Sequence, residues 1–470
     1  MRRILFLMVF SWVFASCGMK PSLSGQPPPL DQDGAIYVYL APLPPEAERL
    51  SFDIAEFHAE RGEGERIPLS IKMSTIARQD AGRERLLAYG VLPPGAYSGF
   101  SLRVGKASLE GVEGVAVLQL PEGLTEVSAP FTVERKRAVV MNLMLRFPDS
   151  IREEVRFTPT FSASIPRPGK IASGRLGMST SREANTVTLF DKISGQVFYI
   201  VPTGEAPMGV VMDPLRRRAY VALSGEDAVE VIDLLEVRVL ERIRLAGRNA
   251  PLDLSLTPDG RTLLVANPGS NTVSLVDALS MFEKEKILVG ASPQSVLLDR
   301  SGKRGYAFNA LSNTISVLDI PRATVAATIP TESGPFRGDL SPDGSRLYVL
   351  QQGSPYIGIV DTLSLAVSRG AYVGTGAKAI KVDPRTGWIY LARRGAVEVD
   401  VYDSTALLPV DFIPVGGEAA YLAIDKEEND LWVVLPGQAR LNDVGLAGKR
   451  TIATIDVPEG PRRVTIMGER

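Results

Sequence analysis

One cysteine and one histidine, Cys17 and His58, bound the chemistry open to this sequence of 470 residues. A single residue of each type leaves no c-type haem attachment, Cys-rich zinc or iron–sulfur centre, His-rich copper site or internal disulfide, and no cofactor or metal is expected. An enzyme built on this chain would have to work mainly with Asp, Glu, Lys, Arg, Ser or Tyr. The 52 Lys and Arg residues nearly cancel the 54 Asp and Glu, giving a net charge of -2. That balance supplies no global field for nucleic acid and no broad basic face for lipid, so no nucleic-acid partner is expected.

Polar residues do recur at fixed spacing. Strand-like segments ending in Asp appear at Asn185-Thr-Val-Thr-Leu-Phe-Asp191, Ala228 to Asp233, Asn271-Thr-Val-Ser-Leu-Val-Asp277, Asn313-Thr-Ile-Ser-Val-Leu-Asp319, Tyr356 to Asp361 and Glu398 to Asp403. Successive Asp residues lie 42, 44, 42, 42 and 42 apart, and a degenerate seventh copy is read at Ala439-Arg-Leu-Asn-Asp443, 40 beyond Asp403. A second landmark keeps the same register: the turns at Asp213-Pro, Pro258-Asp-Gly260, Asp299 to Gly302, Pro342-Asp-Gly344, Asp383-Pro and Asp425-Lys. The repeated Asp is read as turn chemistry, a side chain accepting backbone hydrogen bonds, and not as a series of catalytic carboxylates. Asp425 to Asp430 lacks the alternating ligands of a calcium loop and falls where a hairpin turn belongs.

Alternating apolar and hydroxyl or amide residues make half-buried antiparallel strands, joined by Asp-Gly turns into four-stranded units. Such a unit is apolar on both faces, so seven of them stack and close radially. The units resemble those of the YVTN family of propellers over residues 171–470, and the resemblance implies a seven-bladed β-propeller. The closing blade is expected to join Arg462-Arg-Val-Thr-Ile466 as innermost strand to Gly174–Met178, Thr186–Asp191 and Val197–Val201.

Upstream, residues 35–168 alternate as strands at Ala35–Leu40, Leu50–Ile54 and Ser98–Val104, a pattern that predicts a small β-sandwich with His58 at or near its surface. Leu92-Pro-Pro-Gly-Ala-Tyr97 resembles the turn and strand of transthyretin-like sandwiches, including an envelope domain found in bacterial lipoproteins. The fold class read from the chain is therefore all-β: a seven-bladed β-propeller preceded by a small β-sandwich.

The N-terminus reads as an address. Arg2 and Arg3 precede an apolar run from Ile4 to Phe14 that is too short to span a bilayer as a helix. Val13-Phe14-Ala15-Ser16-Cys17-Gly18 resembles the bacterial lipobox, which implies a signal peptide over residues 1–16, lipidation of Cys17 and a flexible tether over 17–34. The chain is accordingly expected at the cell envelope, anchored by lipid, in the outer membrane if the host has one.

Propeller loops carry specificity because the strands are committed to packing. The residue after the Gly-x-x-Pro landmark in each repeat gives Met208, Leu252, Gln294, Phe336, Lys378, Ala420 and Arg462, predicted to ring the channel mouth, with Arg337 and Arg463 as flanking cations. This points to a non-enzymatic binding or scaffold lipoprotein, a monomeric propeller with a protein, peptide or glycan partner at its mouth. The alternatives are a hydrolase resembling the seven-bladed lactonases and an accessory subunit of an envelope redox system.

Overall fold

A computed structural model describes residues 30–469 apart from 63, 81, 112–113, 154 and 167–173. Cys17, the signal segment and nearly all of the tether lie outside the described residues. Among the described residues no helix is long and apolar enough to cross a membrane.

Residues 34–164 form a β-sandwich. One sheet has five strands, with Gly34–Leu40 pairing parallel to Ala138–Leu145 and antiparallel to Arg85–Leu92; the other has six, around Leu50–Arg61 and Gly95–Gly111. Tyr97 packs into the core between the sheets, stacked on Phe131 at 4.9 Å, and its hydroxyl donates to Pro93 O at 2.8 Å across the Pro-Gly turn. His58 lies within the strand Leu50–Arg61, which runs past Ile54 because register shifts between Asp53 and Glu56 let the pairing continue.

Seven four-stranded antiparallel sheets follow, and together they make the seven-bladed β-propeller. Blades 1 to 6 occupy residues 207–244, 253–288, 293–330, 335–372, 377–414 and 421–456. The seventh combines Pro461–Ile466, innermost, with Leu176–Ser181, Thr186–Asp191 and Val197–Pro202, the expected one-plus-three closure.

The recurring polar residues hold turns and blade junctions. Asp191 accepts from the amides of Ile193 and Ser194 at 2.8 and 3.0 Å, and Asp233, Asp277, Asp361 and Asp403 repeat the pattern. Asn271 and Asn313 adopt φ of 57° and 55°, a left-handed conformation that Asn tolerates. From there each side chain accepts a backbone N–H from the loop entering the next blade, at Ser292 (2.8 Å) and Gly334 (2.7 Å).

Blade 6 departs from the pattern. Gly445, 42 residues beyond Asp403, pairs with Asp430 as Asp233 pairs with Arg218 in blade 1, so Gly445 holds the turn position assigned above to Asp443. Asp443 lies inside the strand Arg440–Gly445, buried, with Oδ1 unpartnered. Burial, reinforced by Asp430 and Asp425, pushes its carboxyl up to about 8, and burial, reinforced by Asp425 and Glu428, pushes Asp430 up to about 6. Because both folded values exceed the unfolded carboxylate value near 4, stability is complete below about pH 4 and is lost as pH rises through 6 and 8. Asp443→Asn should therefore leave the melting temperature nearly unchanged at pH 4 and raise it by a few degrees at pH 8.5, as scanning calorimetry would show.

The sandwich docks on the propeller. Gly34–Leu40 is buried on both faces: Ile36, Val38 and Leu40 enter the sandwich core, whereas Ala35, Tyr37 and Tyr39 join Phe190, Trp432, Ile455 and Ile466 of blades 6 and 7. At the rim of this contact Asp456 is held by Arg83 (2.7 Å), Arg85 (2.8 Å) and Arg440 (3.2 Å).

Candidate functional site

The inner strands of the blades leave a central channel, part of a cavity of about 1150 Å³ that extends outward to Tyr199 of blade 7 and Leu234 and Val237 of blade 1. Side-chain alternation dictates what faces it, and a bulge at the start of most inner strands sets the phase. In blade 4 Pro335 pairs with Gln351 and Arg337 with Leu350, so Phe336 is the extra, unpaired residue. Blades 3, 5 and 7 do the same at Gln294, Lys378 and Arg462. An extra residue re-aims those after it, so the second residue past the landmark faces the channel.

Of the sequence-selected residues the structure therefore brings only Arg337 and Arg463 to the cavity wall, while Met208, Leu252, Gln294, Phe336, Lys378 and Arg462 do not line it. Gln294 donates to Ser292 Oγ at 2.8 Å, Lys378 pairs with Glu418, Arg462 pairs with Glu183 at 2.8 Å, and Phe336 packs between blades 4 and 5. The channel residues that sequence reasoning missed are Asp253, Ser295, Asp339, Lys381, Tyr421 and Glu469. Their signal was present: Asp253, Ser295, Arg337, Tyr421 and Arg463 share one repeat position, and Asp339 and Lys381 stand two residues further along.

Two layers of charge result. In the first, Arg463 Nη2 pairs with Asp253 Oδ1 at 2.8 Å, while Asp253 Oδ2 accepts Val296 N at 3.3 Å. Burial works against the Arg463 charge, but Asp253, Tyr421 and Glu469 together outweigh it and the guanidinium is held more firmly protonated than usual. The guanidinium carbons of Arg463 and Arg337 lie 4.3 and 5.0 Å from the centroid of the Tyr421 ring. In the second layer Lys381 Nζ stands 3.4 Å from Glu469 Oε1 and 3.9 Å from Asp339 Oδ2. Asp339 Oδ2 also accepts Val382 N at 2.9 Å, and Glu469 Oε2 accepts from Thr465 Oγ1 at 3.2 Å. Burial opposes the Lys381 charge, and the two carboxylates reverse that and raise it.

Arg337 is the exception. Among the described residues no carboxylate pairs with it, and its Nε and Nη1 are sealed from solvent without an acceptor. Burial, compounded by Arg463, pulls its guanidinium down to about 10, a departure for a group that ordinarily stays charged far above that. Its neighbour Gly338 has to be glycine, since a Cβ there would stand 2.5 Å from Tyr348 O and 2.8 Å from the Phe308 ring. The strand is thus pressed against the next one while Arg337 and Asp339 on either side reach the channel.

No family profile matches this sequence, and no curated protein matches it. Solved structures do. Hydrazine synthase of Kuenenia stuttgartiensis superposes with a TM-score of 0.52 at 18% identity, over 58% of this chain and 93% of that one. A functionally unknown protein from Desulfotomaculum acetoxidans gives 0.53 at 16% identity, over 62% and 98%. Dihydro-heme d1 dehydrogenase NirN, in complex with DHE, gives 0.51 at 14% identity, over 65% and 78%. At these identities the likeness is one of fold, the β-propeller.

Proposed function

We propose that this chain is a non-enzymatic binding protein of the cell envelope, anchored by a lipid on Cys17, whose propeller takes its ligand in the central channel. The observation that carries the binding reading is Arg337, a charged side chain aimed into a cavity with the Tyr421 ring beside it but no carboxylate paired to it among the described residues and no acceptor for Nε or Nη1. Such a group costs stability unless something it meets in use offsets it. The channel carboxylates argue for binding over hydrolysis: Asp253, Asp339 and Glu469 each face a cation and accept a further hydrogen bond, and none stands free to act as a base. In this reading the repeats are of YVTN type and the sandwich is a transthyretin-like envelope domain, the latter supported by the Tyr97 turn. A protein, peptide or glycan at the mouth remains compatible with a ligand below it.

Two measurements test this. Cys17→Ser should move the protein from the membrane fraction to the soluble fraction, and continued membrane association would refute the lipid anchor. A panel of sugar and acyl lactones should be left unhydrolysed; turnover that disappears in an Asp253→Asn variant would replace the binding reading with the hydrolase.

A further inference from the structure

We infer that the channel ligand is a small organic anion of single negative charge, a monocarboxylate with an apolar body, whose carboxylate docks on Arg337. This rests on the reading of the channel as the binding site. With Nε and Nη1 of Arg337 sealed, Nη2 is the nitrogen open to the channel, and a carboxylate there neutralises the group with a charge-assisted hydrogen bond. Arg463 cannot supply the same contact freely, since its Nη2 is engaged by Asp253.

The other charges set the valence. Lys381 is shared between Asp339 and Glu469, with Lys426 beside all three, so the second layer is close to neutral, while the first carries one more guanidinium than carboxylate. Asp339 follows Arg337 by two residues on the same strand, and both line the channel. A monoanion on Arg337 balances the first layer. A second negative charge on the ligand would find Lys381 already shared by two carboxylates and Asp339 two residues from Arg337, which disfavours dicarboxylates and phosphate. Half-buried Leu297 and Val210, backed by the buried Ile380, Leu422 and Met467, line the same cavity and offer an apolar wall to a hydrocarbon body, leaving hydrogen bonding to few groups, as in small-molecule sites generally.

The test uses detergent-solubilised full-length protein, calorimetric titration and thermal melts with hexanoate, 1-hexanol, adipate and inorganic phosphate. Hexanoate should bind and raise the melting temperature, with hexanol, adipate and phosphate at least about tenfold weaker. Arg337→Met should melt higher than the parent without ligand, because an unpaired charge is gone, and bind hexanoate about ten- to a hundredfold more weakly. Arg337→Lys should retain part of the affinity. If adipate or phosphate binds as well as hexanoate and still depends on Arg337, the monocarboxylate assignment is wrong while the channel site stands. If Arg337→Met melts lower than the parent and no anion shifts either protein, both the assignment and the channel site are wrong.

Discussion

Replacing Lys192 with methionine should lower stability by about 3–5 kcal/mol, a larger loss than any loop substitution in this propeller would give. Lys192 sits in the turn after Thr186–Asp191, in the part of blade 7 that comes early in the chain. Its Nζ pairs with Asp425 Oδ2 at 2.5 Å, donates to Met467 O at 2.8 Å and lies 3.4 Å from Glu427 Oε2. The side chains of Lys192 and Asp425 are 1% and 0% exposed, so losing one leaves an uncompensated charge in the interior. The bond also spans the seam of the ring, joining the early strands of blade 7 to blade 6 and to the end of the C-terminal strand. The double variant Lys192→Met, Asp425→Asn should recover much of the loss, because removing both charges removes the desolvation penalty with the attraction. Denaturant melts of the two variants side by side give the answer, and equal losses in both would show that the pair acts through packing alone.

Asp456→Ala should have a comparable effect of about 3–5 kcal/mol with a different signature. It removes the carboxylate shared by Arg83 and Arg85 of the sandwich and Arg440 of blade 6 and the acceptor for Leu86 N, leaving the apolar contact of Tyr37, Tyr39 and Trp432, the bond from Val197 N to Glu84 and the Lys72–Glu459 pair to hold the domains together. One cooperative calorimetric transition in the parent should divide into two, sandwich and propeller. Burial raises the Asp456 carboxyl, but the flanking arginines outweigh this and hold it below the usual carboxylate range. Its contribution is therefore complete above the unfolded value near 4 and is lost as pH falls through the folded one. Glu84, in the same interface, runs the other way. It accepts from Val197 N at 3.0 Å and Asn142 Nδ2 at 2.7 Å, yet burial prevails and pushes it up to about 7. Docking is thus opposed from the acid side by Asp456 and from the alkaline side by Glu84.

The fold was legible because its information is periodic. Asp191 to Asp403 and the Pro-Asp-Gly turns report a local need, a turn that wants a side-chain acceptor, and a need repeated at every blade survives the loss of one copy. Blade 6 shows the limit: Gly445 replaced the turn Asp, and the nearby Asp443 mimicked it in sequence while serving no turn in space. The channel residues stand one position past the mouth residues chosen from sequence, for a comparable reason. Bulges at Gln294, Phe336, Lys378 and Arg462 are set by how strands enter the ring, and nothing in the residue types announces the extra position. Arg337 and Arg463 were noted as flanking cations, but that one is paired and the other is not depends on Asp253, more than 80 residues before Arg337. Docking of the sandwich had a visible trace, the unbroken apolar run of Ala35–Leu40, which is the pattern of a strand covered on both faces. What covers its second face lies far along the chain, 150 residues beyond Leu40 in Phe190 and 392 beyond it in Trp432.

The role proposed for Arg337 is to take an anion in the channel. A crystal structure of the full chain soaked with hexanoate tests it directly. The account requires the carboxylate at about 3 Å from Arg337 Nη2, with the alkyl chain along Leu297 and Ile380 and the Arg463–Asp253 pair intact. A channel holding only water, with Arg337 turned to a protein acceptor, would contradict it.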